Sequence, residues 1–140
     1  MTSPSPSARK SGPTPAVPLV LIVDDNEKNR RLARDVLRAA GLRTIEAASG
    51  GAGIAIATER LPDVVLLDLQ LPDMDGTDVA RELRKEARTA RLPIVAWSAR
   101  PYLGDRARLL AAGFDGYLEK PIDVREFPDQ VRSYCAPARA

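Results

Sequence analysis

DVVLLDLQLPDMDG, residues 63–76, is an apolar run that stops on an acid, Asp68, and passes into a loop carrying Pro72, Asp73, Asp75 and Gly76. A strand covered on both faces by helices has no place for a charge in its middle. It can carry one at its carboxyl end, where open α/β sheets place their ligand sites. Val64–Leu67 is therefore read as a central parallel strand, with Asp68 at its functional edge.

Outward from this stretch the pattern alternates. Leu19–Val23 is a second continuous apolar run, and Arg43–Ala47 is a weaker strand. Between them Glu27–Ala40 has Leu32, Val36, Leu37 and Ala40 at helical spacing, with Gly41 placed to end the helix. Gly51–Arg60 reads as helix despite Gly51 and Gly53. Gly76–Ala87 is helical with Val79, Ala80 and Leu83 inward; Ile94–Trp97 is the fourth strand. Leu103–Ala112 is a helix ended by Gly113, and Tyr117–Leu118 centres a short fifth strand. Val124–Tyr134 closes the series, with Val124, Phe127, Val131 and Tyr134 on one stripe. Strand and helix alternating in this way predict a parallel sheet with helices on both faces.

The bulk properties exclude several function classes. With 140 residues, 44% hydrophobic and 29% charged, the chain suits one soluble domain. No apolar run approaches a membrane span, so no membrane partner is expected. The net charge is +2, and Arg9 and Lys10 of the leading tail account for it. The remainder is close to neutral, which argues against nucleic acid as a partner. Cys135 is the single cysteine, so no disulfide framework exists and a cytoplasmic location is expected. With no histidine, His-based zinc sites and Ser-His-Asp hydrolysis are excluded. Residues 1–17 are rich in Pro and Ser and read as a disordered tail; residues 18–135 form the domain, and 136–140 a second tail.

The strand ends gather chemistry. Asp24 and Asp25 follow the first strand, Asp68 ends the third, Ser98 ends the fourth and Lys120 lies just past the fifth. In a parallel sheet these ends share one edge, so the side chains can converge. Two carboxylates about 5 Å apart repel by about 3 kcal/mol at an effective dielectric near 20. Such a cluster calls for cations: Lys120 supplies one charge, and a hard divalent ion such as Mg²⁺ suits the rest. The plainer reading makes these acids helix caps and turn formers, with Asn26 capping the first helix and Asp73 and Asp75 in a turn.

Taken together, LIVDDN (21–26), DVVLLDLQLPDMDG (63–76), PIVAWSA (93–99) and GYLEKPI (116–122) resemble the receiver domain of two-component response regulators. The resemblance spans about residues 18–135. It implies a flavodoxin-like (βα)5 fold with strand order 2-1-3-4-5. It also implies that Asp68 accepts a phosphoryl group from a histidine kinase or histidine phosphotransfer protein. Asp24, Asp25, Asp68 and the backbone carbonyl of Gln70 would hold Mg²⁺. Ser98 and Lys120 would bind the acyl phosphate, Tyr117 would be the switch aromatic, and the Lys120–Pro121 peptide would be cis. Arg100 and Gln70 fall where the family tunes phosphoryl lifetime, and small Ala99 leaves room for a bulky donor.

Trp97 is less usual for the family and reads as a core side chain, or else as a gate on Tyr117. The DDNEKNRRL stretch is similar to stand-alone cell-cycle regulators, which suggests a single-domain regulator whose output is binding to a downstream protein target. Met1 and the short end after the last helix favour this over a receiver detached from a larger hybrid kinase. Arg30, Arg31, Arg34 and Arg38 form either a solvated face or a docking surface. The last two helices with the fifth strand leave a homodimer on phosphorylation open. An aspartyl-phosphate-type phosphatase is the enzyme alternative, but it needs a second acid where Leu69 and Gln70 stand. SGGAG (49–53) hints at a nucleotide site, but lacks the dinucleotide and P-loop fingerprints.

Overall fold

The computed structural model describes residues 17–99 and 106–135, without the side chain of Arg106. The readings of both tails, of Arg100 and of a helix start at Leu103 therefore fall wholly or largely outside the described residues. The strands are β1 (Leu19–Val23), β2 (Arg43–Ala47), β3 (Val64–Asp68), β4 (Ile94–Ser98) and β5 (Gly116–Glu119). The helices are α1 (Glu27–Ala39), α2 (Gly50–Arg60), α3 (Gly76–Lys85), α4 (Arg106–Ala112) and α5 (Phe127–Tyr134). All neighbouring strands pair in parallel, in the order β2-β1-β3-β4-β5. This is the doubly wound flavodoxin-like arrangement, and its carboxyl edge is shared by every strand.

Strand side chains alternate between two cores. Leu21, Val23, Val65, Leu67, Ile94 and Ala96 meet α2, α3 and α4 through Ala57, Val79, Ala80, Leu83, Leu109 and Ala112. Val20, Ile22, Val64, Leu66, Val95, Trp97 and Leu118 meet α1 and α5 through Ala33, Leu37, Phe127 and Val131. β1, β3 and β4 are buried at every position, which explains why they read as unbroken apolar runs. Each large apolar side chain in these layers contributes about 1.5–3 kcal/mol by leaving water.

Local chemistry sets the helix ends. Asn26 caps α1 by accepting from Asn29 N, and Ser49 caps α2 by accepting from Ala52 N. Gly41 and Gly113, both at positive φ, turn the chain after α1 and α4. α3 stops at Lys85, short of the expected Ala87, where the hydroxyl of buried Thr89 donates to the Leu83 carbonyl.

Two expected stripes are corrected. Leu32 is 45% exposed, because α1 turns Ala33 and Leu37 inward instead. Val124 is 57% exposed and precedes α5. Asp123 accepts the Arg125 and Glu126 N–H groups with its carboxylate and the Phe127 N–H with its carbonyl, so a turn precedes the helix. Among the described residues, no helix is long and apolar enough to cross a membrane.

Candidate functional site

Asp24 continues the parity of Val20 and Ile22, and Asp68 that of Val64 and Leu66. Lys120 continues the parity of Leu118. All three thus belong to the α1/α5 side of the carboxyl edge, and they meet there. Lys120 Nζ lies 2.6 Å from Asp24 Oδ2 and 3.0 Å from Asp68 Oδ2. Carboxylate oxygens of Asp24, Asp25 and Asp68 lie within 4.8 Å of one another. Asp24 and Asp68 are buried and Asp25 is exposed, so the cluster opens to solvent through Asp25.

Backbone and side-chain bonds hold each acid. Asp24 Oδ1 accepts the Asn26 N–H at 2.8 Å, and its carbonyl accepts Arg30 Nη1 at 2.6 Å. Asp68 Oδ1 accepts the Gln70 N–H at 2.9 Å. Burial raises the Asp68 carboxyl above its ordinary range; the Gln70 N–H and Lys120 oppose this, and Asp24 adds to it. Burial and the Asp24 charge thus disfavour the ionised form, while the Gln70 N–H and Lys120 favour it.

The loop after β3 is pinned at two points. Gly76 donates to the Leu69 carbonyl, and a Cβ on Gly76 would strike the Asp68 carbonyl oxygen and sit 2.8 Å from Leu69 Cα. Asp73 accepts the Gly50 and Gly51 N–H groups at 2.8 and 2.9 Å. These two bonds lower the Asp73 carboxyl below its ordinary range. They also bear on SGGAG. The first N–H groups of α2 are engaged by Asp73 and Ser49, and Gly50 makes room for Met74 and Gly53 for Val23, so these donors and two of the three glycines are committed within the chain.

Ser98 is buried at the end of β4, and its carbonyl accepts the Lys120 N–H at 2.9 Å. The Lys120–Pro121 peptide is cis. Tyr117 packs on the α2/α3/α4 core and lines a cleft of about 210 Å³ with Leu109, Phe114 and Tyr134. Trp97 belongs to the opposite core, so the core reading of Trp97 holds and the gate on Tyr117 does not. Sequence reasoning missed what Trp97 touches: Lys120 Nζ lies 4.6 Å from its ring centroid. The signal was available in the alternation of β4, which sets Trp97 on the side of Asp68, its register partner. It also missed Arg30 as a brace on the Asp24 carbonyl. Of the four arginines of α1, Arg30 and Arg34 bond Glu46 and Arg38 bonds Thr44, both on β2, while Arg31 pairs with Glu27 at the surface.

The family of the response regulator receiver domain matches residues 20–132. The chain belongs to that family. Among curated relatives of this receiver domain, the polar-differentiation response regulator DivK of Brucella ovis is 37% identical over 119 residues, which cover 85% of this chain and 97% of the relative. The chemotaxis protein CheY4 of Vibrio cholerae superposes with a TM-score of 0.80 at 25% identity, covering 85% of this chain and 99% of that one. The receiver domain of sensor histidine kinase PA1611 from Pseudomonas aeruginosa PAO1 gives a TM-score of 0.77 at 33% identity, covering 85% and 98%. That neighbour holds a magnesium ion coordinated in its active site cleft. The acidic cluster of the present receiver domain fits such an ion. Its donors are hard oxygens. Mg²⁺ prefers such ligands, and one oxygen from each of the three acids lies within 4.8 Å of the others, so they could hold one ion between them.

Proposed function

We propose that Asp68 accepts a phosphoryl group from the phosphohistidine of a histidine kinase or histidine phosphotransfer protein, and that the phosphorylated chain signals in the cytoplasm by binding a downstream protein. The observation that carries this reading is the Lys120 ammonium bridging Asp24 and Asp68, with Asp25 beside them. An Asp68 oxygen attacks phosphorus in line. The P–O bond forms, the P–N bond of the donor breaks, and the imidazole leaves. Asp24, Asp25, Asp68 and the Gln70 carbonyl would hold Mg²⁺, which supplies positive charge against the phosphoryl oxygens. Lys120 pairs with one of those oxygens and the Ser98 hydroxyl donates to another. Tyr117 then turns inward as Ser98 moves, which alters the surface of α4, β5 and α5.

An output through protein binding is supported by the DivK relative, 97% of whose length the match spans, so that it is little more than a receiver itself. A homodimer through α4, β5 and α5 is a second form this output can take. The phosphatase alternative finds no support, because Leu69 and Gln70 occupy the place of the second acid and neither side chain can serve as a general acid or base.

The test is labelling with acetyl phosphate and Mg²⁺. The parent takes up one phosphoryl group and loses it slowly, and Asp68→Asn takes up none while remaining folded. Asp25→Asn binds Mg²⁺ more weakly. Continued labelling of Asp68→Asn moves the acceptor elsewhere, and rapid turnover of p-nitrophenyl phosphate by the parent restores the enzyme reading.

A further inference from the structure

We infer that Trp97 is a positioning residue for Lys120, whose ammonium it holds against the indole face between Asp24 and Asp68. This rests on the reading of Lys120 as a phosphate partner. Lys120 Nζ is 4.6 Å from the ring centroid, inside the range of about 6 Å over which the negative face of an indole attracts a cation. Asp68 and Trp97 are register partners on neighbouring strands, as are Trp97 and Leu118. Asp68, Trp97 and Lys120 therefore stand side by side on one face of the sheet.

The ring cannot turn away. It is 2% exposed and backed by Phe127, with ring centroids 6.2 Å apart at an interplanar angle of 31°. Lysine is a flexible four-carbon stem with a point charge, so an ammonium held only by two carboxylates would follow whichever of them moved. The indole gives it a third, immobile partner that phosphorylation of Asp68 leaves in place.

A second observation separates this role from plain space filling. Among the described residues, the Trp97 Nε1–H is buried without a hydrogen-bond partner. A leucine or phenylalanine would fill this core without stranding a donor, which is costly in an apolar interior. What the indole offers above either is its face, the strongest cation acceptor among the aromatic rings.

Two measurements test the inference. In metal-free protein with ¹³C-labelled lysine, ring-current shielding displaces the Lys120 Hε resonances upfield of those of Lys28 and Lys85. Trp97→Leu abolishes that displacement and Trp97→Phe retains part of it. Unshifted Lys120 resonances in the parent overturn the inference, whether or not the chain accepts phosphate. The second measurement is the acetyl phosphate labelling rate at saturating Mg²⁺. It falls about five- to tenfold in Trp97→Leu and stays within about twofold in Trp97→Phe.

Because Trp97 acts through Lys120, Lys120→Met and the double variant Lys120→Met/Trp97→Leu label at the same rate. A further loss in the double variant assigns Trp97 a merely structural role and overturns the inference. If the parent shows no labelling while its Lys120 resonances are shifted, the receiver reading fails and the contact stands.

Discussion

Lys120 and Asp24 form a buried ion pair, 2.6 Å between Nζ and Oδ2, with side-chain exposures of 11% and 0%. Burying two charges costs about as much as their attraction returns, but removing one partner strands the other, at about 3–5 kcal/mol. Here the same ammonium also serves Asp68, so its loss leaves two acids without their cation. Lys120→Met is expected to lower the stability of the metal-free chain by about 3 kcal/mol in urea unfolding. Mg²⁺ should recover part of that loss, since it offers the cluster another cation. Unchanged stability without metal would contradict the buried pair.

Three glycines near the site predict three different outcomes. A Cβ on Gly50 would collide with Met74 Cγ and sit 2.8 Å from Met74 Sδ and 2.9 Å from Val79 Cγ2. Methionine can bend but the branched Val79 cannot, so Gly50→Ala should cost about 1–3 kcal/mol. At Gly76 the obstacles are the backbone of Asp68 and Leu69, so Gly76→Ala should cost more and slow labelling as well. Gly51 has only Asp73 Oδ2, at 3.4 Å. Gly51→Ala should stabilise by up to about 1 kcal/mol, because the unfolded chain loses freedom. Chemical denaturation of the three variants checks the order, and equal effects at Gly50 and Gly51 would refute the packing assignment.

Arg84 ties together the edge of the sheet far from the acids. It donates to the carbonyls of Ala90, Leu92 and Gly113 and pairs with Asp115, which in turn accepts the Ile94 N–H. Arg84→Met should cost about 2–4 kcal/mol, because several partly buried carbonyls lose their charged donor together. Arg84→Lys should recover little, since a point charge cannot span the fork. Full recovery by lysine, read as a thermal midpoint, would show that charge alone suffices.

Burial pushes the Cys135 thiol from 9.0 up to about 11, with Asp63 adding to the rise and Arg132 opposing it. The folded chain keeps a proton that the unfolded chain releases, so this contribution to stability is complete below about pH 9. It is lost as pH rises from about 9 towards about 11. The stability difference between parent and Cys135→Ser should be flat below that window and shrink across it. Alkylation of the native thiol should be slow at neutral pH. An alkylation profile with its inflection near the ordinary thiol value would contradict the burial.

The sequence by itself determined the alternation of strand and helix, the parallel sheet and the edge on which Asp24, Asp25, Asp68, Ser98 and Lys120 gather. It could do so because a strand buried on both faces must be apolar from end to end, and its first charge therefore marks the carboxyl edge. Sequence spacing alone was less reliable where a side chain's direction depends on its neighbours. Leu32 and Val124 fit a helical stripe on paper, yet both face solvent once Ala33, Leu37, Phe127 and Val131 fill the space above the sheet.

Only the tertiary structure decided that SGGAG serves Met74 and Asp73, and that Arg30 and Arg34 bond within the chain. It alone set Trp97 apart from Tyr117 and under Lys120. These are relations between segments far apart along the chain. They depend on strand register and the close packing of layers, which fix positions in space that local periodicity does not encode.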